Sequence, residues 1–347
     1  AVMLDVQTGE ILALASQPTF DPNRLAGRIT IADYEEVEKS GAWLNRATQG
    51  LYPPGSTFKI VTAIAGMRKK VVDWDDILEC GAFYRVGNRD FPEHEPVGYG
   101  DVDLDKMLAI SCNVWNYQIG LRAGPDALAA EARRFGLDTP LLETAASSDG
   151  PGATYTELPY AASRGLVVPD REYKLRIKAG PWHDGDTANT SIGQGYLLTS
   201  PLHMASFAAS LARGETRTVP TIIHDPARDG RHRGSTPIGL NKAQLDAIRG
   251  GMVRCVEEGT GRSAHIQGLP IAAKTGTSEY FKKGEKAHLA WMIGYAPADN
   301  PVVAFCVLVE GQFDTDTWGG KTAGPVVKQM LETWAGTGEK QSTEPAR

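Results

Sequence analysis

The strand-forming segments of this sequence lie at its two ends, with a long helical stretch between them. Near the start, residues 1–6 and 10–15 are strand-like and are joined by Gln7-Thr8-Gly9, which predicts a β-hairpin. Further strands are predicted late in the chain, at residues 271–274, 288–295 and 301–309. Strands from both ends must pair across the chain to form one sheet, so the sequence predicts an α+β fold.

The middle of the chain has the pattern of helices and loops. Within it, helices are predicted over residues 125–135, 201–212 and 240–258. A closing helix over residues 323–334 follows the late strands, and the polar residues 336–347 are predicted to form a disordered tail.

These segments predict one domain, residues 1–335, built from two lobes. The sheet lobe takes about 1–50 and 265–335, as an antiparallel sheet packed with helices, and the helical lobe takes about 56–260. An active site is expected in the cleft between the two lobes.

Composition sets the outer limits of function. The chain has 347 residues, of which 41% are hydrophobic and 22% charged, which is typical of a globular domain of this size. The net charge of −6, without a basic stripe, argues against nucleic acid as a partner. The sequence contains no run of apolar residues long enough for a membrane-spanning helix. It begins in strand pattern without an initiator methionine, so we expect it to be cut from a longer protein.

Ser56 and Lys59 lie three residues apart, directly after Pro53-Pro54-Gly55 and at the start of an apolar run. If a helix begins at Ser56, the two side chains share one face of it. A serine hydroxyl is a weak nucleophile, and a partly desolvated lysine can serve as its neutral base. Free N–H groups at a helix start also stabilise an oxyanion. The competing interpretation is a helix-capping serine followed by a solvated lysine.

Two later motifs follow in a fixed order, Ser111-Cys112-Asn113 and then Lys274-Thr275-Gly276-Thr277. Alone, the first is also compatible with a polar helix start and the second with an ordinary strand end. Together, S-x-x-K, S-x-N and K-T-G form the motif set of enzymes whose serine attacks a carbonyl to give an acyl-enzyme. The lysine and the threonine hydroxyls suit a carboxylate, and Gly276 permits close approach of a substrate strand.

On these motifs the chain resembles the transpeptidase domain of class B penicillin-binding proteins, most closely the penicillin-binding protein 2 subfamily of cell elongation. The resemblance covers residues 1 to about 334. It also rests on residues 45–56, which lead to Ser56, and on residues 185–196, followed by Thr199-Ser200-Pro201-Leu202. It implies the penicillin-binding and serine β-lactamase-like fold. Within the second block, Gly193-Gln194-Gly195 is predicted to be a structural turn.

The resemblance also implies roles for the motif residues. Ser56 would be the acylated nucleophile, Lys59 its base, Ser111 the proton relay to the leaving amine and Asn113 the group that holds the amide of the acyl donor. The remaining motif residues would bind the terminal carboxylate of a D-Ala-D-Ala stem peptide: Lys274, Thr275, Gly276 and Thr277. The backbone N–H groups of Ser56 and Thr277 would form the oxyanion hole.

Partners and location follow from the same resemblance. It implies a peptidoglycan D,D-transpeptidase inhibited by β-lactams, with a glycosyltransferase and elongation-complex proteins as partners. It further implies the periplasmic side of the inner membrane, held by an N-terminal anchor absent from this sequence. The alternatives are a serine β-lactamase or a β-lactam sensor. No segment resembles the Glu-bearing loop of class A lactamases, and the blocks around Asn45 and Gly185 favour the transpeptidase.

The four cysteines allow several interpretations. Disulfides would be permitted in the cell envelope, and four cysteines allow three pairings. Catalysis needs no cofactor, but some members of the subfamily carry zinc with the middle residue of S-x-N as a ligand. A structural zinc here would use Cys80, His94 and Cys112, with Asp90 or Glu93 completing the set. The sequence departs from that pattern, because Gly98-Tyr99-Gly100 stands where Gly-His-Gly is expected. Buried free thiols are the third interpretation, and it is the one favoured for Cys255 and Cys306.

Overall fold

The computed structural model describes residues 1–141, 145–146, 154–155, 165–224, 236–282, 284–312, 315 and 317–341. Its centre is a five-stranded sheet in the order β2-β1-β11-β10-β9, antiparallel throughout. The strands are β1 Val2–Asp5, β2 Ile11–Leu14, β3 Leu78–Cys80, β4 Phe83–Val86, β5 Arg89–Pro92, β6 Gly100–Val102, β7 Ala145–Ala146, β8 Thr154–Tyr155, β9 Ala272–Lys282, β10 Glu285–Ala296 and β11 Val303–Glu310.

The two ends of the chain meet in this sheet, as the sequence predicts. Strand β1 pairs with β11, with Val2 opposite Cys306 and Leu4 opposite Ala304. Strands β9 and β10 form a long hairpin, which leaves β9 at the edge of the five-stranded sheet. The α+β prediction is confirmed, and the K-T-G motif lies on the edge strand.

Helices are the main regular structure in the described part of the middle of the chain. They are α1 Ile31–Ser40, α2 Lys59–Arg68, α3 Leu104–Ile110, α4 Asn113–Ala123, α5 Pro125–Arg134, α6 Arg171–Arg176, α7 Asp184–Ser191, α8 Pro201–Arg213, α9 Lys242–Glu257 and α10 Gly324–Gln341. Among the described helices, none is long and apolar enough to cross a bilayer.

Helix α2 is the centre of the helical lobe. Its residues from Lys59 to Met67 are all buried, because the segment is apolar on every side and other helices surround it. Helix α4 contacts α2, α5 and α7, so the chain segment that follows Ser111 packs directly against the helix that follows Ser56. Helix α8 covers one face of the sheet through contacts with β10, β11 and β1.

Several boundaries differ from the sequence predictions. Strand β9 continues to Lys282, past the predicted end at residue 274. Helix α10 continues to Gln341, past the predicted end at residue 334 and into the predicted tail, while residues 342–347 lie outside the described residues. In addition, Ser56 does not open an α-helix. It lies in a 3-10 turn, Gly55–Phe58, and the α-helix begins at Lys59.

Candidate active site

The turn that carries Ser56 packs closely against the backbone of Gly193. Gly55 adopts a left-handed φ of 56°, and its N–H donates to the carbonyl of Gly193 at 2.9 Å. A Cβ on Gly193 would lie 2.1 Å from the carbonyl oxygen of Gly55, so only glycine fits there. Gly193 thus supports the nucleophile turn through its backbone, in line with the structural role predicted for it. Ser56 itself is 7% exposed.

Lys59 is fully buried behind Ser56, and its ammonium is held by the S-x-N segment. Its Nζ donates to the carbonyl oxygen of Ser111 at 2.5 Å, to Ser111 Oγ at 3.2 Å and to Asn113 Oδ1 at 2.6 Å. Burial, and next the positive charge of Lys274, lower the pKa of Lys59 to about 7, although the carboxylate of Glu93 acts in the opposite direction. A substantial fraction of Lys59 is therefore neutral near pH 7.

The S-x-N motif forms the junction of two helices. Ser111 ends α3 with a left-handed φ of 63°, an uncommon conformation for a residue other than glycine. Cys112 is the N-cap of α4, and Asn113 is its first residue. The sharp reversal at Ser111 brings the carbonyl and hydroxyl of Ser111 and the amide of Asn113 to the same ammonium. The structure therefore brings the first two motifs together.

The K-T-G strand forms the opposite wall of the cleft. Lys274 is fully buried, and its Nζ donates to the carbonyl of its neighbour Thr275 at 2.9 Å. Burial lowers the pKa of Lys274 to about 8. The hydroxyl of Thr275 lies 2.5 Å from that of Thr260, and Thr277 Oγ1 accepts from the N–H of Gly319 at 3.1 Å. The hydroxyls of this wall are thus fixed by neighbouring loops.

The segment before Ser56 packs against the K-T-G strand, which joins the two walls of the cleft. A Cβ on Gly276 would lie 2.9 Å from the carbonyl of Pro54, and a Cβ on Gly55 would lie 2.7 Å from that of Thr277. The carbonyl of Pro53 accepts from Ser278 Oγ at 2.7 Å and from Trp291 Nε1 at 3.0 Å. This close contact sets the backbone of Thr277 beside that of Ser56.

Ser56 lines two adjoining cavities, of about 310 and 470 Å³. The smaller one is bordered by Ser111 and the threonines of the sheet wall, together with Tyr99, Trp318 and Lys321. The larger one continues past Asn113 toward Gln194 and His288. Trp318 borders both cavities and stacks on His288, with 6.2 Å between ring centroids.

Several of these lining residues carry no signal in the sequence motifs. Trp318 and Lys321 lie in a glycine-rich segment after the last strand, and Thr260 follows helix α9. Their place in the cleft depends on contacts between distant parts of the chain. The run Trp318-Gly319-Gly320-Lys321 offers a local hint, since glycine pairs often mark a close backbone approach.

The predicted zinc ligands come together only in part. The thiol of Cys112 lies beside that of Cys80 and donates to the carboxylate of Glu93 at 3.1 Å. Cys80 and Cys112 are buried, whereas His94 lines the cleft cavities and Asp90 pairs with Arg85 on the β4–β5 hairpin. The neighbouring Cys80 thiol, followed by burial, raises the pKa of Cys112. Across the described ranges, no group of three or more His, Cys, Asp or Glu is arranged to hold a metal ion. Zinc binding by Cys80, His94 and Cys112 stays a prediction.

The disulfide interpretation is wrong. All four cysteines are free and buried. Cys255 and Cys306 are fully buried, which confirms that they are core residues. The remaining candidate for a metal ligand, Glu93, has a different set of partners. Its carboxylate accepts the backbone N–H groups of Asn113 and Val114 and the thiol of Cys112.

Comparison with known proteins gives one consistent result. The family described as "Penicillin binding protein transpeptidase domain" matches residues 1–332. The chain is 31% identical to peptidoglycan D,D-transpeptidase MrdA of Acinetobacter baumannii over 99% of its own length and 52% of that relative. It therefore spans about half the length of this relative.

Two solved structures have the same fold. The complex of penicillin-binding protein 2 with MreC from Helicobacter pylori matches with a TM-score of 0.79 at 25% identity, covering 96% of this chain and 59% of that one. The ceftriaxone acyl-enzyme of penicillin-binding protein A from Mycobacterium tuberculosis matches with a TM-score of 0.73 at 29% identity, covering 95% and 72%.

Proposed function

The chain belongs to the penicillin-binding protein transpeptidase family, and we propose that it is a serine D,D-transpeptidase that cross-links peptidoglycan stem peptides. One observation carries the proposal. Ser56 borders the cleft three residues before a fully buried Lys59, whose ammonium is held by Ser111 and Asn113. This arrangement supplies a nucleophile, a base that can be neutral near pH 7, and a hydroxyl beside that base.

The proposed acylation step uses these three groups. Neutral Lys59 accepts the proton of Ser56 Oγ, and the oxygen attacks the carbonyl carbon of the penultimate D-Ala. The N–H groups of Ser56 and Thr277 donate to the developing oxyanion. Lys59 then returns its proton through the Ser111 hydroxyl, 3.2 Å away, to the nitrogen of the leaving D-Ala. The C–N bond breaks, and an ester to Ser56 remains.

The second half of the reaction reverses these proton movements. The amine of a second stem peptide attacks the ester, Lys59 takes the amine proton, and Ser56 Oγ leaves and is protonated again. A β-lactam follows the first half alone: its ring opens on Ser56, and the nitrogen that leaves stays tethered. The acyl-enzyme named for the mycobacterial relative supports this proposal.

The sheet wall is proposed to bind the acyl-donor stem peptide. In this proposal, the hydroxyls of Thr275 and Thr277, which line the cleft, and the edge strand β9 bind the terminal carboxylate and the peptide backbone. Lys274 is fully buried, so it acts on the carboxylate through its charge from behind the threonines. Asn113 combines contact with Lys59 and a position on the larger cavity, which suits a partner for the donor amide.

We extend the proposal to partners and location. The complex of the Helicobacter pylori relative with MreC supports elongation-complex proteins as partners. A glycosyltransferase partner and a periplasmic position, anchored to the inner membrane, complete the proposed context. Relatives of this chain act in peptidoglycan cross-linking, which fits the cell envelope.

Intact-mass spectrometry after incubation with benzylpenicillin tests the function. We expect one adduct that is absent from Ser56→Ala and unchanged in Ser40→Ala, an exposed serine on α1. Persistence of the adduct over minutes, with release of D-Ala from a D-Ala-D-Ala peptide, supports the transpeptidase. Loss of the adduct within seconds would show a lactamase, and an adduct on Ser56→Ala would disprove the nucleophile.

A further inference from the structure

Glu93 is a buried carboxylate that the catalytic motifs do not include. It directly follows β5 and is 8% exposed. Its Oε1 accepts from the N–H groups of His94 at 2.8 Å and Asn113 at 3.0 Å. Its Oε2 accepts from the N–H of Val114 at 2.8 Å and from the thiol of Cys112 at 3.1 Å. A single side chain thus accepts four hydrogen bonds, three of them from the segment that begins α4.

The position of these donors gives the carboxylate a role in the site. The first N–H groups of a helix have no partner within the helix, and a carboxylate is the group best suited to them. The same segment carries Ser111 and Asn113, which hold the ammonium of Lys59. Glu93 therefore accepts hydrogen bonds from the S-x-N segment, while Lys59 donates hydrogen bonds to the same segment.

We propose that Glu93 is a positioning residue of the acylation reaction, which sets the S-x-N segment against Lys59 through its hydrogen bonds to the start of α4. The inference rests on the proposed function and adds to it a residue outside the three motifs. Its physical basis is the strained junction: Ser111 has a left-handed φ of 63° and ends α3 immediately before α4 begins. Such a conformation persists only where surrounding contacts hold it.

The charge of Glu93 contributes a second effect. Four titratable groups face Lys59 from the elements around it: Lys274 on β9, Glu93 and His94 after β5, and Cys112 at the start of α4. Lys274 lowers the pKa of Lys59, whereas Glu93 raises it. Removing the negative charge should therefore lower the pKa of Lys59, and acylation should persist to lower pH.

Two variants separate the charge from the geometry. Glu93→Gln keeps the length of the side chain but removes the charge and one of the two accepting oxygens, and Glu93→Asp keeps the charge but shortens the side chain by one methylene group. The pH midpoint therefore reports the charge, and the plateau rate reports the geometry. Glu95→Gln is the matched control, because Glu95 is exposed on the same loop. The measurement is the second-order rate of acylation by a fluorescent penicillin as a function of pH, with a thermal melt of each variant.

For Glu93→Gln we expect the midpoint of the acidic limb to fall by about one pH unit. For Glu93→Asp we expect the midpoint of wild type and a plateau rate lower by up to roughly 10²-fold, the cost of a displacement of about 1 Å at a reacting group. Glu95→Gln should match wild type in both respects. Folded Glu93 variants with wild-type rates and midpoints would overturn the proposal.

Metal analysis distinguishes this role from a metal site. We expect acylation of wild type to be unchanged by prior treatment with EDTA. If wild type carries one equivalent of zinc and loses its acylation rate with the metal, Glu93 serves the metal and the positioning proposal is wrong. A wild-type protein that forms no β-lactam adduct at all would instead disprove the proposed function, so the two failures are distinguishable.

Discussion

Each wall of the cleft buries a lysine, and the two lysines differ in what surrounds them. On the helical wall, Lys59 donates to three acceptors of the S-x-N segment. On the sheet wall, Lys274 donates to the carbonyl of the next residue in its own strand. Both are fully buried, and burial lowers both pKa values, to about 7 for Lys59 and about 8 for Lys274.

The different partners of the two lysines match the two roles proposed for them, proton transfer for Lys59 and substrate recognition for Lys274. The acceptors around Lys59 belong to side chains and loops that face Ser56, so a change in its protonation is felt directly at the reacting atoms. Lys274 donates to a backbone carbonyl of its own strand, and its positive charge acts at a distance on Lys59 and on the threonine hydroxyls. In the proposed mechanism, the helical wall supplies the base, and the sheet wall supplies a positive charge and the strand edge that binds the substrate.

The largest effect should come from removing the base on the helical wall. Lys59→Ala is expected to slow acylation of Ser56 by about 10²–10⁴-fold, the range typical of general base catalysis. Acylation by benzylpenicillin, followed by stopped-flow or intact mass, measures it. Lys39→Ala, on the exposed face of α1, is the control. A near-normal rate in Lys59→Ala would move the base elsewhere, with Ser111 as the next candidate.

A smaller effect with a distinct pH signature is expected from Lys274→Met. Because Lys274 lowers the pKa of Lys59, its removal should raise that pKa above about 7. A smaller fraction of Lys59 is then neutral at pH 7, so acylation slows by up to about tenfold for every tenfold rise in the proton affinity of Lys59. The loss should shrink as the pH rises.

The pH profile of acylation measures this effect, with Lys328→Met on α10 as the control. A midpoint that stays at its wild-type value in folded Lys274→Met would contradict the coupling between the two walls. The pH midpoint of acylation should rise in Lys274→Met and fall in Glu93→Gln. The two variants together therefore test how charges on both walls set the pKa of Lys59.

The smallest effect is expected from a hydroxyl of the sheet wall. Thr277→Val removes the acceptor of the Gly319 N–H, worth about 0.5–1.5 kcal/mol, and the donor to the substrate carboxylate. We expect acylation to slow by roughly tenfold or less, with an unchanged pH midpoint, because Thr277 does not carry a charge. Steady-state binding and acylation rates for benzylpenicillin and for its methyl ester separate the two losses. A change in the pH midpoint of acylation in Thr277→Val would contradict the proposal that the sheet wall affects Lys59 only through the charge of Lys274.

Much of the fold was predictable because its signals are local. Apolar strands at both ends and helical periodicity in the middle predicted the α+β class and the pairing of strands from the two ends, which the structure shows between β1 and β11. The helix boundary at Ser56 was not predictable. The 3-10 turn there depends on Gly193, which is distant in sequence and presses its backbone against Gly55.

The candidate site divides in the same way. The three motifs predicted which residue types meet in the cleft, because nucleophile, base and carboxylate-binding groups each need a specific chemistry. The zinc prediction rested on residue types and on the family resemblance, and the structure brings only some of these residues into contact. Cys112 donates to Glu93, whereas Asp90 pairs with Arg85 and His94 borders the cleft. Cysteine, histidine and carboxylate within one segment do not specify a geometry.

The sequence by itself determined the chemistry of this protein: the motif residues, their order, and the class of fold that holds them. The tertiary structure alone decided the electrostatics. Two lysines became fully buried, Glu93 was placed at the start of α4, and Lys274 came close enough to influence Lys59. Burial and the distances between charges depend on contacts between residues far apart in the chain, and a local pattern does not encode those distances.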